Sequence, residues 1–254
     1  MPLLRVEELT VRFGGVTALD GVSFQVEPGQ VCGLIGPNGA GKTTLFDCVS
    51  RLTRPQAGRV ELDGRDLLAL EPHQVAGLGV ARTFQHLGLL ASLTVRENVM
   101  LGGHHAGRTG FGASALRLPP VRRSERALRA RADELLERLG LAHLAARPAA
   151  GLPYGTLKRV ELARALGAAP RLLLLDEPAS GLSHGEVDEL AGVIAAVRAD
   201  ADLTVLLVEH HMGMVMGLSN TVVVLDFGRR IAQGAPAAVR EDPAVIQAYL
   251  GVPA

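Results

Sequence analysis

The sequence predicts an α/β fold built on a parallel sheet, and three observations carry that prediction. Apolar runs of strand length recur along the chain: QVCGLIG at 30–36, RLLLLDEP at 171–178, TVLLVEH at 204–210 and NTVVVLDFG at 220–228. They are nearly continuous rather than alternating, as strands buried on both faces are. Helical patterns separate most of them, and strands alternating with helices assemble into parallel sheets. A mainly helical stretch from about 87 to 165 interrupts the alternation.

In order along the chain, LLRVEELTVRF (3–13) and GVSFQVE (21–27) read as strands with partial alternation, and PG at 28–29 as a turn. The buried strand 30–36 runs straight into GPNGAGKTT, and TTLFDCVSRL after it reads as a helix. GRVELDGRDL (58–67) reads as a strand, a tight turn at Asp63 and Gly64, and a second short strand. Gly-rich residues 102–120, with a Pro pair, read as a loop or insertion. In 121–139, Leu128, Ala132, Leu135 and Leu139 share one helical face, and Glu125–Arg129, Arg129–Asp133 and Glu134–Arg138 are opposite charges four residues apart. The arginines of this helix read either as a binding patch or as a solvated, ion-paired face. Further helices are expected from near Gly155 to Pro170, over 186–199, between the last two apolar strands, and as one or two short pieces in PAAVREDPAVIQAYLG. No internal repeat is visible.

The chain has 254 residues, 26 basic and 26 acidic side chains, and 48% hydrophobic residues. That is ample for a core, and we read residues 1–254 as one domain. Balanced charge gives no case for nucleic-acid binding. Residues 1–150 carry a net +4 and 151–254 a net −4, a mild asymmetry. Cys32 and Cys48 have no metal or redox-motif spacing and read as buried thiols of a reducing compartment. The opening MPLLRVEELTV lacks the pattern of a secretion signal, and no apolar run approaches the roughly 18 residues a membrane span needs. The expectation is a soluble protein able to dock on a membrane protein. Of the 26 basic residues only Lys42 and Lys158 are lysines, and Lys42 lies in a glycine-rich loop.

That loop, GPNGAGKTT at 36–44, fits the phosphate-binding pattern GxxxxGK[ST] in full. Gly36, Gly39 and Gly41 let backbone wrap around phosphate, and successive N–H groups and a helix N-terminus supply positive field. Lys42 brings a compact charge to the β- and γ-phosphates, and Thr43 a hydroxyl to Mg²⁺. An arginine fork would be bulkier and differently hydrated there. In LLLLDEP, Asp176 and Glu177 emerge at the C-terminal end of a buried strand, where open α/β sheets bind ligands. Asp176 can hold Mg²⁺, and Glu177 can orient or deprotonate the attacking water. Taken alone, the pair would be an ordinary strand end; beside the phosphate loop it reads as the other half of a site.

The order GPNGAGKTT, Gln85 in ARTFQ, LPYGTLKRVELARAL, LLLLDEPASGL and VEHH resembles the ATP-binding subunit of an ABC transporter over essentially the whole chain. RFGGVTALDGVSF, the Gly-rich insertion after ENVMLG, and DPAVIQAYLG are similar to the branched-chain amino-acid transporter ATPases. The resemblance implies a P-loop NTPase core with an antiparallel β subdomain, and a helical subdomain inserted at about 87–165. It implies ATP and Mg²⁺ as ligands, with Asn38, Ala40 and Thr44 joining the phosphate-loop contacts. Phe13 would stack on adenine near Val16; its other reading is a core strand aromatic. Gln85 would touch Mg²⁺ and the attacking water and report nucleotide state to a membrane subunit. His210 would contact the γ-phosphate, although His211 is adjacent and the choice between them rests on alignment to the strand end. Implied partners are transmembrane permease subunits, a second cassette of the same or a related kind, and indirectly a substrate-binding protein. The place implied is the inner face of the plasma membrane. Residues 86–105 would dock on the permease, with Leu87, Leu89 and Leu90 either in the groove or packing the helical insert.

Two departures stand out. The signature, commonly LSGGQ, is here Leu152, Pro153, Tyr154, Gly155 and Thr156. The resemblance implies signature contacts to a partner's nucleotide from Pro153, Tyr154, Gly155 and Thr156; Pro153 has neither hydroxyl nor N–H, which leaves Gly155, the helix N-terminus and the Thr156 hydroxyl to meet phosphate. Ser183 stands where an acid or Asn is usual. Within the family, the alternative is a lipopolysaccharide-export ATPase, against which the insertion at 102–120 weighs. A soluble DNA-repair or translation ATPase would need long coiled coils or two cassettes, and a small-molecule kinase would lack Gln85, the signature and His210.

Overall fold

The computed structural model describes residues 1–84, 87–104, 119–201 and 203–250. Two sheets organise it. Strands β1 (Leu4–Phe13), β2 (Val16–Val26), β4 (Ala57–Leu62) and β5 (Arg65–Asp66) form an antiparallel sheet in the order β2-β1-β4-β5. Strands β3 (Val31–Ile35), β6 (Val80–Arg82), β7 (Leu172–Asp176), β8 (Thr204–Val208), β9 (Thr221–Asp226) and β10 (Arg229–Gly234) form the larger one, in the order β10-β9-β3-β8-β7-β6. All its pairings are parallel except that of β10 with β9.

The apolar runs lie at its centre, where both faces are covered. Leu172 and Leu174 point into a core shared with the antiparallel sheet and with α1 (Lys42–Val49). Leu173 and Leu175 point the other way, into a core shared with the helices α3 (Val95–Gly102), α4 (Pro119–Arg138), α5 (Tyr154–Gly167) and α6 (His184–Ala201). Leu206 and Val208 alternate with Val205 and Leu207 in the same way. A period of two thus survives inside a continuous hydrophobic run. A smaller cluster joins Ile35, Val222 and Val224 to the end of the chain, where α7 (Met212–Leu218), α8 (Pro236–Arg240) and α9 (Pro243–Leu250) pack.

Several elements differ from the sequence reading, for local reasons. β2 begins at Val16 rather than at 21, because Gly14, at φ 57°, closes a tight hairpin directly from β1. β10 is largely exposed and polar, so it lacks the apolar pattern of its neighbours. α2 (Pro72–Gly77) and β6 are too short for a periodic signal. α3 starts with a capping box in which Thr94 and Glu97 satisfy each other's backbone N–H. In α4, Ala132, Leu135 and Leu139 are buried as the spacing required, and Leu136 with them. Asp133, assigned by spacing to Arg129, instead pairs with Arg96 of α3 at 2.5 Å. Both cysteines are buried free thiols. Among the described residues no helix is long and apolar enough to cross a membrane. Most of the insertion at 102–120 lies outside the described residues.

Candidate functional site

The parallel strands converge with their C-terminal ends on one edge, and the chemistry-bearing residues lie there. β3 ends at Ile35 and the chain turns at once into the glycine-rich loop. A Cβ at Gly36 would lie 2.1 Å from the Leu225 carbonyl oxygen, and one at Gly41 2.4 Å from that of Ala18. Gly36, Gly39 and Gly41 have φ of 152°, 81° and 100°, a backbone path only glycine follows without strain. Gly41 is the N-cap of α1 and supplies no side-chain cap, so the first amides of that helix remain for an anion. Asn38 and Gly39 are exposed at the rim, Ala40 is buried, Thr43 is exposed and Thr44 half-buried.

Lys42 is 7% exposed, and its Nζ donates to the carbonyls of Gly36 at 2.7 Å and Pro37 at 2.9 Å. Burial lowers its pKa, against the opposing pull of the Glu177 and Asp176 charges. The ammonium is therefore curled over its own loop, with two carboxylates close enough to act on it.

Asp176 ends β7 and is 5% exposed. Its Oδ2 receives Arg82 at 2.8 Å, and its backbone N–H donates to the Thr83 hydroxyl at 3.2 Å. Arg82 also pairs with Asp47 of α1 at 2.7 Å and lies between the rings of Phe46 and Phe84. This bridge from β6 to the phosphate-loop helix and the β7 carboxylate was not anticipated. The available signal was a lone arginine in ARTF, at the end of a strand whose neighbours bury it and which therefore needs partners.

Glu177 follows with φ 47°, a left-handed backbone rare outside glycine. Its Oε1 is 2.8 Å from His210 Nε2. The two side chains come from adjacent strands, because Asp176 is in register with Val208 and the Glu177 N–H donates to the Val208 carbonyl at 2.9 Å. Of the two histidines, His210 meets the carboxylate; His211 is the N-cap position of α7, and its ring lies 6.3 Å edge-on from that of His184. Gln85 lies outside the described residues.

Phe13 and Val16 face each other across the end of the β1–β2 hairpin, 53% and 68% exposed, so Phe13 is not a core aromatic. Pro153 is the N-cap of α5 and Tyr154, Gly155 and Thr156 its first turn, with Tyr154 and Gly155 against the segment that leads into α6 and its first turn. A Cβ at Gly181 would lie 3.0 Å from the Tyr154 ring, and one at Gly155 2.5 Å from Glu186 Oε1. The Tyr154 ring also lies 5.6 Å from Lys158 Nζ, and Lys158 is buried. Leu89 packs against the helical core, whereas Leu90 is 51% exposed. A groove between β6 and the end of α5 is lined by Leu52, Val75, Phe84, Glu161, Arg164 and Ala165. Glu161 is buried there, which raises its pKa although it accepts the N–H groups of Phe84 and Gly88.

The ABC transporter family profile matches residues 19–180, and that of the branched-chain amino acid ATP-binding cassette transporter matches residues 229–254. The chain is 44% identical over 250 residues to the high-affinity branched-chain amino acid transport ATP-binding protein BraF of Pseudomonas aeruginosa, covering 98% of each. It is 42% identical, with the same coverage, to the corresponding protein LivG of Escherichia coli. A crystal structure of the ADP conformation of an ATP-binding cassette superposes with a TM-score of 0.85 at 33% identity, over 99% of this chain and 100% of that one. A nucleotide-free cassette gives 0.85 at 32% identity, with the same coverage. The chain therefore belongs to the ATP-binding, ATP-hydrolysing subunits of ABC transporters.

Proposed function

We propose that this chain powers a branched-chain amino-acid importer, hydrolysing MgATP on the cytoplasmic face of the plasma membrane and passing the resulting motion to permease subunits. The relatives at 42–44% identity are named for that transport. The observation that carries the catalytic reading is the contact of Glu177 with His210, 2.8 Å apart on the strand edge that also bears Lys42. Lys42 and the N–H groups of 36–44 bind the phosphates; released from the Gly36 and Pro37 carbonyls, the ammonium moves to the β- and γ-oxygens. Thr43 and Asp176 offer hard oxygen donors of the kind Mg²⁺ takes, beside phosphate oxygens. Mg²⁺ would neutralise charge on the phosphates. Glu177 accepts the proton of the attacking water, and His210 holds that carboxylate and the γ-phosphate in register. Gln85 would join the metal and the water, and Phe13 and Val16 would receive the adenine.

Residues 87–165 are read as the helical subdomain, and the groove bordered by Phe84, Glu161 and Arg164 as the seat of a permease loop, with the exposed Leu90 a further candidate contact. Pro153, Tyr154, Gly155 and Thr156 would face the nucleotide of a second cassette, and a substrate-binding protein would act only through the permease. The test uses two variants. Lys42→Ala should lose nucleotide binding or hydrolysis, while Glu177→Gln should keep ATP binding and lose most hydrolysis. Unchanged turnover in either variant refutes the role of that residue.

A further inference from the structure

We infer that Glu209 is a positioning residue that sets the Glu177–His210 pair by tying together the two loops that carry it; the inference rests on the reading of that pair as catalytic. Glu209 directly follows β8 and is 2% exposed. Its carboxylate accepts three backbone N–H groups. Oε1 takes Ala179 at 2.7 Å, and Oε2 takes His210 at 2.6 Å and His211 at 3.0 Å.

These donors come from both sides of the site. Ala179 lies two residues past Glu177, on the loop leaving β7; His210 and His211 begin the loop leaving β8. A buried carboxylate met by three amides is held by charge-assisted bonds, the strongest kind available to backbone donors. It fixes backbone rather than side chains, and so fixes where each loop sets its functional group.

The site needs such a device. Glu177 stands at φ 47°, a conformation that persists only where surrounding contacts determine it. The two side chains of the pair meet at 2.8 Å. Reacting groups must be held to within about 0.5 Å, and a 1 Å misplacement can cost roughly 100-fold in rate. Glu209 is buried and meets backbone N–H groups, so it acts through the backbone of the loops that carry the pair.

The experiment compares Glu209→Gln and Glu209→Asp, each in the wild-type and Glu177→Gln backgrounds. It measures kcat, the KM for ATP and the melting temperature. Glutamine keeps the shape, but one of its terminal atoms is a donor, so one side of the clamp meets N–H with N–H whichever way the amide lies. Glu209→Gln should lower kcat at least about 10-fold and leave the KM for ATP within about 2-fold. Aspartate keeps the charge but is one methylene short of spanning both loops, and should fall between; it carries the test should the Gln variant fail to fold. In the Glu177→Gln background, Glu209→Gln should lower the residual turnover by less than about 2-fold, because groups that act as a unit are not additive. Wild-type kcat in Glu209→Gln overturns the inference, as does a kcat loss repeated in full in the Glu177→Gln background. Full turnover by Glu177→Gln alone instead refutes the catalytic assignment underneath. Turnover lost in Glu177→Gln but kept in Glu209→Gln refutes only the role of Glu209.

Discussion

Two glycines of the phosphate loop separate backbone conformation from steric fit. Gly39 has φ 81° and nothing within 4 Å of where a Cβ would stand. Gly41 has φ 100°, and its Cβ would stand 2.4 Å from the Ala18 carbonyl oxygen and 2.8 Å from Leu19 Cδ2. An L-residue in left-handed backbone costs about 1–2 kcal/mol, which is all that Gly39→Ala incurs. Gly41→Ala adds an overlap with strand backbone that cannot swing aside, and overpacking of that kind costs about 1–3 kcal/mol more. The expected losses are therefore about 1–2 kcal/mol for Gly39→Ala and about 2–5 kcal/mol for Gly41→Ala. Against a total stability of about 5–15 kcal/mol both variants fold, and at about 2–4 °C per kcal/mol the second should melt clearly lower. Urea unfolding without nucleotide measures both, provided the slope stays constant. A Gly41→Ala variant no less stable than Gly39→Ala would refute the claim that close approach to β2, and not torsion alone, demands glycine at that position.

Arg82→Met should lower stability by about 3–5 kcal/mol, because it leaves the buried Asp176 carboxylate without its cation; denaturant titration reads the loss, and a stable variant would mean that the bridge is dispensable. The two thiols should resist alkylation in the native chain at pH 8 and react in denaturant, since burial pushes both Cys32 and Cys48 up to about 12 from 9.0. The sign follows: above pH 9 the unfolded chain loses thiol protons that the folded chain keeps. The thiols' contribution to stability is thus intact below pH 9 and declines between 9 and 12. Native modification of either cysteine at pH 8 would contradict their burial.

The parallel sheet was legible because its central strands are buried on both faces, which only continuous apolar runs satisfy. The phosphate loop and the acidic strand end were legible because each is a contiguous chemical statement: Lys42 six residues after Gly36 in a glycine-rich run, Glu177 beside Asp176. Illegible features depend on pairs far apart in sequence. Arg82 meets Asp176 across 94 positions and Asp47 across 35, and Glu209 reaches Ala179 across 30. No local pattern distinguishes an arginine that ends a strand in solvent from one that spans two carboxylates. β10 escaped notice for a related reason: as an edge strand with exposed side chains it needs no hydrophobic pattern, only the ladder that β9 provides.

The two departures from the family pattern find a common physical reading in the fold. Ser183 replaces an acid or Asn, yet its hydroxyl and its N–H both donate to Glu186 Oε2, at 2.7 and 2.9 Å. Those bonds lower the Glu186 pKa, so the carboxylate stays ionised, and its other oxygen lies against Gly155 at the head of α5. Pro153 precedes that head at φ −54° and ψ 147°, its ring pre-set for a helix start and its missing N–H no loss there. What Pro153 removes is a hydroxyl; what Ser183 does is hold the Glu186 carboxylate beside the same helix end. On the proposed function, the lost hydroxyl and the Glu186 carboxylate would both weaken this face toward the phosphates of a partner's nucleotide, and neither touches Lys42, Asp176, Glu177 or His210. Pro153→Ser in the Glu177→Gln background should on that account increase ATP-dependent dimerisation of the purified chain, as read by sizing with and without MgATP. Equal dimerisation with proline or serine at 153 would show that the backbone amides of α5 suffice for the trans contact.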